Sequence, residues 1–281
     1  MQRDIATHEI HSLVDAHYGK DNLDVVILAA LEAAKKDVAA LSWDDLEGCD
    51  HIHLSGIKGT RSTAELASFP ENTHVLDVGS GLGGPARMLA AEFGCKVTGL
   101  DLTRSFLHAA EMLTLRTGLA NYVSFRYGNA LSLPFHDESF DAIWMQHVSI
   151  NVPNKQLLFS EIWRVLKPKG KLALNTLLAG VRGPVLYPII WALDPSIDFI
   201  EPQAAFRKAI ANNDFHLLEW QNVTSQSIAD LRTTEQPMGM QDSPLLSPSL
   251  YVDNFREKSK NMLRNLEEGR IEVIQAVYKK N

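Results

Sequence analysis

The stretch VLDVGSGLGG, Val75 to Gly84, constrains this chain more than any other. An apolar run carrying Asp77 gives way to four glycines within six positions, and a helical pattern follows at once. Glycine supplies the backbone freedom that a sharp strand-to-helix turn needs and lets a ligand come close to the main chain. Gly79, Gly81 and Gly84 satisfy G-x-G-x-x-G, a weak sign of nucleotide binding when taken alone. A loop of this kind works at the carboxyl edge of a parallel sheet, with its ligand at the mouth of the following helix.

The surrounding sequence provides such a sheet. Strands are expected at 74–79, 96–102, 123–129, 140–148 and 171–178, and helices between them at 84–93, 104–118 and 154–167. In the last helix Leu157, Leu158, Ile162, Val165 and Leu166 recur at helical spacing, and Pro168 with Gly170 reads as a turn out of it. Apolar strands alternating with helices imply a parallel sheet covered on both faces. Ahead of this core, helices are expected at 7–18, 23–40 and 60–68. Behind it come an irregular apolar stretch with three prolines at 180–200, a helix at 202–213, a strand near 216–223, a linker at 233–249, a helix at 250–268 and a strand at 271–278. Long irregular insertions in compact domains often form lids or substrate walls.

Composition narrows the function classes. The formal charge is −7, with no Lys/Arg cluster beyond LKPKGK, so a nucleic-acid partner is not expected. The apolar run VVILAALEAA is interrupted by Glu32 and is too short to span a bilayer, so no membrane partner is expected either. The first residues lack the apolar core of a secretory signal, and two cysteines make no disulfide framework, which together suggest a cytoplasmic location. CDHIH, Cys49 to His53, has metal-ligand residue types, and His51 and His53 would share a face in an extended segment. No second ligand cluster follows downstream, so no metal is expected.

Asp101 lies 22 positions after Gly79, at the end of the next strand, where a carboxylate can take both hydroxyls of a ribose. Nicotinamide dinucleotides and S-adenosyl-L-methionine both carry that ribose. Three features favour the second. Asp77 sits two residues before the first glycine, where it suits a ligand ammonium and would oppose a pyrophosphate. Gly128-Asn129-Ala130 can present a side-chain oxygen and a backbone amide to an adenine edge. The fourth strand ends in MQHV, and LKPKGKL leads into the fifth.

In this order the motifs resemble the class I S-adenosylmethionine-dependent methyltransferases, over roughly residues 74–178. D-x-x-H-x-x-G ahead of the glycine loop, G-G-P after it and QHVSINVPNK after strand four narrow the likeness to sarcosine/dimethylglycine N-methyltransferase-like small-molecule enzymes. Phosphoethanolamine, quinol and natural-product methyltransferases share parts of the pattern. The resemblance implies an α/β fold: a Rossmann-like seven-stranded, mostly parallel sheet with an antiparallel last strand and helices on both faces. It also implies an N-terminal helical cap and gate over 1–70, a methyltransferase core over 71–281 and a lid-like insertion at 180–200.

The implied activity is in-line transfer of a methyl group to a small-molecule acceptor, an amine foremost, with oxygen or carbon acceptors as alternatives. The expected cofactor contacts are Asp77, Gly79, Ser80, Gly81, Asp101, Leu102, Thr103, Asn129, Ala130 and Gln146. Asn129 departs from the Asp most common in the family but keeps an oxygen for the adenine amino group. His147 stands where the resemblance puts residues near the transferable methyl, and it is the expected catalytic group. His53 is expected to face the substrate from the gate, and Tyr187 and Trp191 to surround an ammonium by cation–π contact. Whether the chain acts as a monomer or a homodimer stays open.

Overall fold

The central strands are apolar at successive positions and so bury both of their faces, and the strands assemble into one sheet. In the computed structural model, residues 7–234 and 245–281 are described. The strands are β1 (His74–Val78), β2 (Lys96–Asp101), β3 (Val123–Tyr127), β4 (Phe140–Gln146), β5 (Leu166–Ala179), β6 (Phe215–Asn222) and β7 (Ile271–Lys280). Their order is β3-β2-β1-β4-β5-β7-β6. β7 alone runs antiparallel, wedged between β5 and β6. This is the expected seven-stranded Rossmann-like sheet.

The helices are α1 (Thr7–Tyr18), α2 (Leu23–Ala33), α3 (Glu47–Asp50), α4 (Gly56–Ala67), α5 (Gly84–Phe93), α6 (Arg104–Arg116), α7 (Lys155–Val165), α8 (Gln203–Ala211), α9 (Thr224–Thr234) and α10 (Phe255–Glu267). The period of two along each strand divides the core between the two faces of the sheet. Leu76, Val78, Ile143 and Met145 pack with Leu158, Ile162 and Phe206 from α7 and α8. Val75, Ala142, Trp144 and Ala173 pack on the other face with Ala64, Ala86 and Leu89 from α4 and α5. By the same parity Asp77 and Gln146 belong to the α4/α5 face, and Asp77 lies in register with Trp144. The sheet order reverses between β1 and β4, which opens a crevice at their carboxyl ends.

Several expected boundaries move. The helix expected over 23–40 stops at Ala33, because Lys35 takes a left-handed φ of 60° that no helix continues through. The one expected at 60–68 starts earlier, at Gly56. Pro168 and Gly170 lie inside β5 rather than in a separate turn; the register with β4 slips between Phe140 and Ala142, an irregularity that tolerates proline. α9 has no counterpart in the sequence reading, since Thr224–Thr234 lacks a strong apolar stripe. Most of the linker expected at 233–249 falls outside the described residues. Residues 180–200 form neither helix nor strand, apart from a single bridge between Ile189 and Ala192. Among the described residues no helix is long and apolar enough to cross a membrane.

Candidate active site

A cavity of about 200 Å³ occupies the crevice at the carboxyl ends of β1, β2 and β4. Its floor is the glycine loop. The amides of Gly79 and Ser80 both donate to Leu100 O at the end of β2, at 2.7 and 3.0 Å. Gly79 has φ 73°, and a Cβ there would lie 2.2 Å from Val148 Cγ2, so the loop closes against β4's exit only with glycine. Asp101 braces the loop from the other side: Oδ2 accepts from Gly81 N at 2.8 Å and Oδ1 from Thr103 N at 2.8 Å. Burial raises the Asp101 pKa, although these amides pull it down. Leu102 and Thr103 continue the wall into α6.

Asp77, Ser80 and Gln146 line the cavity, and each is buried with one side-chain atom lacking a partner: Asp77 Oδ2, Ser80 Oγ and Gln146 Nε2. Burial, helped by the neighbouring Asp101 charge, pushes the Asp77 carboxyl up to about 8. Buried polar atoms are normally satisfied, so a lone acceptor and a lone donor in side chains that line one cavity point to a ligand that completes them. Gly128, Asn129 and Ala130 line the far end. Asn129 Oδ1 already accepts from Leu131 N at 2.9 Å in an Asx turn, which holds the loop and leaves one lone pair for a ligand.

His147 follows β4 directly, with φ 52°. Its amide donates to Asn175 O at 2.8 Å, and its Nε2 lies 3.3 Å from Asn175 Oδ1. Since an amide oxygen only accepts, Nε2 carries the proton and Nδ1 keeps its lone pair. Burial lowers the His147 pKa to about 4, so the ring is neutral at physiological pH. The His53 ring lies nearby at a tilt, 5.8 Å between ring centroids, and burial holds it well below the ordinary histidine value. Thr60 Oγ1 lies 3.1 Å from His53 Nε2 and 3.2 Å from Gln146 Oε1, linking α4 and His53 to β4.

The roof is apolar. Val14 and Tyr18 of α1, Leu177, Ile190, Trp191 and Met262 all line the cavity. Asn151 ties the roof together: Oδ1 accepts from Tyr18 Oη at 3.0 Å, and Nδ2 donates to the carbonyls of Trp191 and Ile197 at 3.2 and 2.9 Å. Trp191 lines the cavity. Tyr187 does not line it; its hydroxyl donates to Asp198 at 2.5 Å, beside the Trp191 Nε1–H donating to the same carboxylate at 3.0 Å. The insertion thus contributes one of the two expected aromatic rings, and Tyr187 serves to hold it.

Cys49–His53 is not extended. The segment leaves α3 so that Asp50 Oδ2 accepts from Arg87 Nη2 at 2.8 Å while Oδ1 accepts from His51 Nδ1 at 2.7 Å. Arg87 is fully buried on α5 and also donates to Leu82 O in the glycine loop at 2.7 Å. His51 therefore faces the buried ion pair, while His53 faces the cavity. Among the described residues no group of three side chains is arranged to hold a metal. Arg87, Thr60, Asn151, Asn175 and Tyr18 carry no local sequence signal, since their side-chain hydrogen-bond partners lie 23 or more residues away, apart from Thr60 with His53 and Arg87 with Leu82.

A family model described as a methyltransferase domain matches residues 76–174. The Streptomyces halstedii protein named methyltransferase GfsG is 36% identical over 141 residues, covering 50% of each chain. The glycine/sarcosine/dimethylglycine N-methyltransferase of Actinopolyspora halophila is 29% identical over 166 residues, 58% of this chain and 29% of that one. The match spans from 25% to 54% of the length of the curated relatives. In fold, the chain is similar to phosphoethanolamine N-methyltransferase 2 of Haemonchus contortus solved with S-adenosyl-L-methionine. The TM-score is 0.73 at 20% identity, over 96% of this chain and 60% of that one. The chain thus carries, over residues 76–174, a match to a methyltransferase domain, and this stretch holds the glycine loop, Asp101, Asn129, Gln146 and His147.

Proposed function

We propose that this protein transfers a methyl group from S-adenosyl-L-methionine to a small-molecule acceptor enclosed in the cavity. The observation that carries the reading is Asp77 Oδ2, a buried acceptor without a partner at the mouth of the glycine loop. A cationic ligand group there would favour the ionised carboxylate that burial now disfavours. Asp101 would take the ribose hydroxyls, Asn129 and Ala130 the adenine edge, and the Gln146 Nε2 donor an anionic or carbonyl oxygen. Gly79, Ser80 and Gly81 let the main chain approach. The bound cofactor supplies a methyl group on a sulfonium, ready for in-line displacement.

The chain's own contribution is position and water exclusion, as it is for transfers of this kind. Residues 1–70 act as cap and gate, and Trp191 with the rest of 180–200 closes the substrate side. His147 Nδ1 offers a neutral proton acceptor to a nucleophile that loses a proton. His53 supports the same wall. The relatives supply C-, O- and N-methyltransferases. The nitrogen acceptor expected from the sequence and the oxygen or carbon alternatives all fit a neutral nucleophile beside His147.

Isothermal titration tests the reading. S-adenosylmethionine and S-adenosylhomocysteine should both bind, and NADH should not. Absence of heat with both sulfur compounds up to about 1 mM, a very weak Kd, would sink it.

A further inference from the structure

We infer that the acceptor is an uncharged, predominantly hydrocarbon small molecule. This rests on the proposed methyl transfer and concerns the half of the same cavity under the roof. The argument is a census of charge. No lysine or arginine is among the described residues lining the cavity. A phosphate or carboxylate on the acceptor would enter without the cationic partner that buried anions require. The lining of this chain is therefore unsuited to a phosphorylated acceptor such as the one in its structural neighbour's name.

A cationic acceptor fares no better. Three carboxylates touch the cavity: Asp50, Asp77 and Asp101. Asp50 is committed to Arg87 and His51. Asp101 is braced by two backbone amides at the end of β2, and Asp77 sits in β1 below the glycine loop. All three lie on the nucleotide side of β4. The roofed half is built instead from Val14, Leu54, Ile150, Leu177, Ile190 and Met262. Its polar side chains are His11, Tyr18, Asn151 and Trp191, and none is free: His11 has a partner, Tyr18 Oη donates to Asn151, Asn151 holds three partners, and Trp191 Nε1 donates to Asp198. His53 and His147 add neutral rings, which burial keeps unprotonated. An apolar body gains from entering such a wall, and a charged one loses its hydration without replacement.

The test uses the full chain saturated with S-adenosylhomocysteine, whose affinity is measured first in the same sample. Nile red, a neutral dye, serves as the probe of the roofed half. It is competed by four ten-carbon compounds: 1-decanol, decylammonium, decanoate and decyl phosphate. 1-Decanol should displace the dye, with each charged compound more than fivefold weaker at pH 7. Any charged compound competing within fivefold of 1-decanol would overturn the inference while leaving cofactor binding, and so the methyltransferase reading, intact. Failure of S-adenosylhomocysteine to bind would instead remove the reading on which the inference stands. Ile190→Glu, at a partly buried wall position, locates the dye. It should weaken dye binding at least tenfold with the S-adenosylhomocysteine affinity unchanged; unchanged dye binding also overturns the inference.

Discussion

Trp144 Nε1–H donates to Gln146 Oε1 at 3.0 Å, two residues along the same face of β4. An indole can only donate, so this bond sets which end of the Gln146 amide is the oxygen. Nε2 is then the end without a partner, buried in the cavity wall. Gln146→Glu keeps the size and both acceptor bonds, from Trp144 and Thr60, and replaces that donor by a carboxylate oxygen, which repels an anionic or carbonyl oxygen of the ligand. The expected loss in S-adenosylhomocysteine affinity is about 10- to 100-fold, the range for a hydrogen bond to a charged or strongly polar group. Titration calorimetry beside a melting curve separates this from misfolding. Unchanged affinity would mean Nε2 faces no ligand.

Asp77 couples stability and binding in opposite directions. Its folded pKa of about 8 stands above the ordinary 3.8, so the unfolded chain gives up this proton first. Between those values rising pH favours unfolding, by up to about 1.4 kcal/mol per pH unit. Asp77→Asn removes that penalty, and the ligand-free variant should melt higher than the parent, by a margin that grows from pH 5 to pH 8. The same change should cost S-adenosylmethionine affinity and abolish its pH dependence. In the parent, affinity should rise with pH up to about 8, with proton release on binding at pH 7, readable from calorimetry in buffers of different ionisation enthalpy. A variant that melts lower at pH 8 would contradict the burial argument.

What could be read from the sequence was what is local along the chain. The glycine loop, Asp101 one strand later and His147 at the end of β4 are fixed by spacing within a strand–turn–helix unit. The resemblance implied an antiparallel last strand, but the wedge of β7 between β5 and β6 appears only in the structure, since no local pattern sets its neighbours. CDHIH shows the limit. Residue types there suggested ligands, but the partner of Asp50 is Arg87, 37 positions on and fully buried. A lone arginine in a helical run reads as surface, because nothing in its neighbours predicts a buried carboxylate. Tyr187 failed for a related reason: aromatic character marked it, while its orientation depends on Asp198.

The roof hangs on Asn151. Replacing it by Ala leaves the carbonyls of Trp191 and Ile197 without their donor and frees the Tyr18 hydroxyl. Buried groups left unsatisfied cost about 1–3 kcal/mol each. Hydrogen exchange should therefore speed up in α1 and in 186–198, with β1 and β4 unaffected. Tyr18→Phe removes only one of the three bonds and should speed exchange in α1 alone. Uniform acceleration across the sheet would instead mean Asn151 supports the whole fold.

His147 is best tested by Asn. The residue sits at φ 52°, a left-handed conformation that Asn tolerates better than Ala, and the amide bond to Asn175 O survives the change. What is lost is the Nδ1 lone pair. If that atom receives a proton from the nucleophile, His147→Asn should lower kcat by about 10²- to 10⁴-fold. The S-adenosylhomocysteine Kd should stay within about threefold, since the ring makes no proposed contact to the nucleotide end. Its pKa of about 4 adds a second mark: the ring is already neutral at pH 6, so His147 contributes no limb to the parent's rate profile from pH 6 to pH 9. A limb in that range that disappears in the variant would place the titrating group at His147 and contradict its burial. Equal losses in kcat and affinity, or none in either, would assign the ring to shaping the cavity.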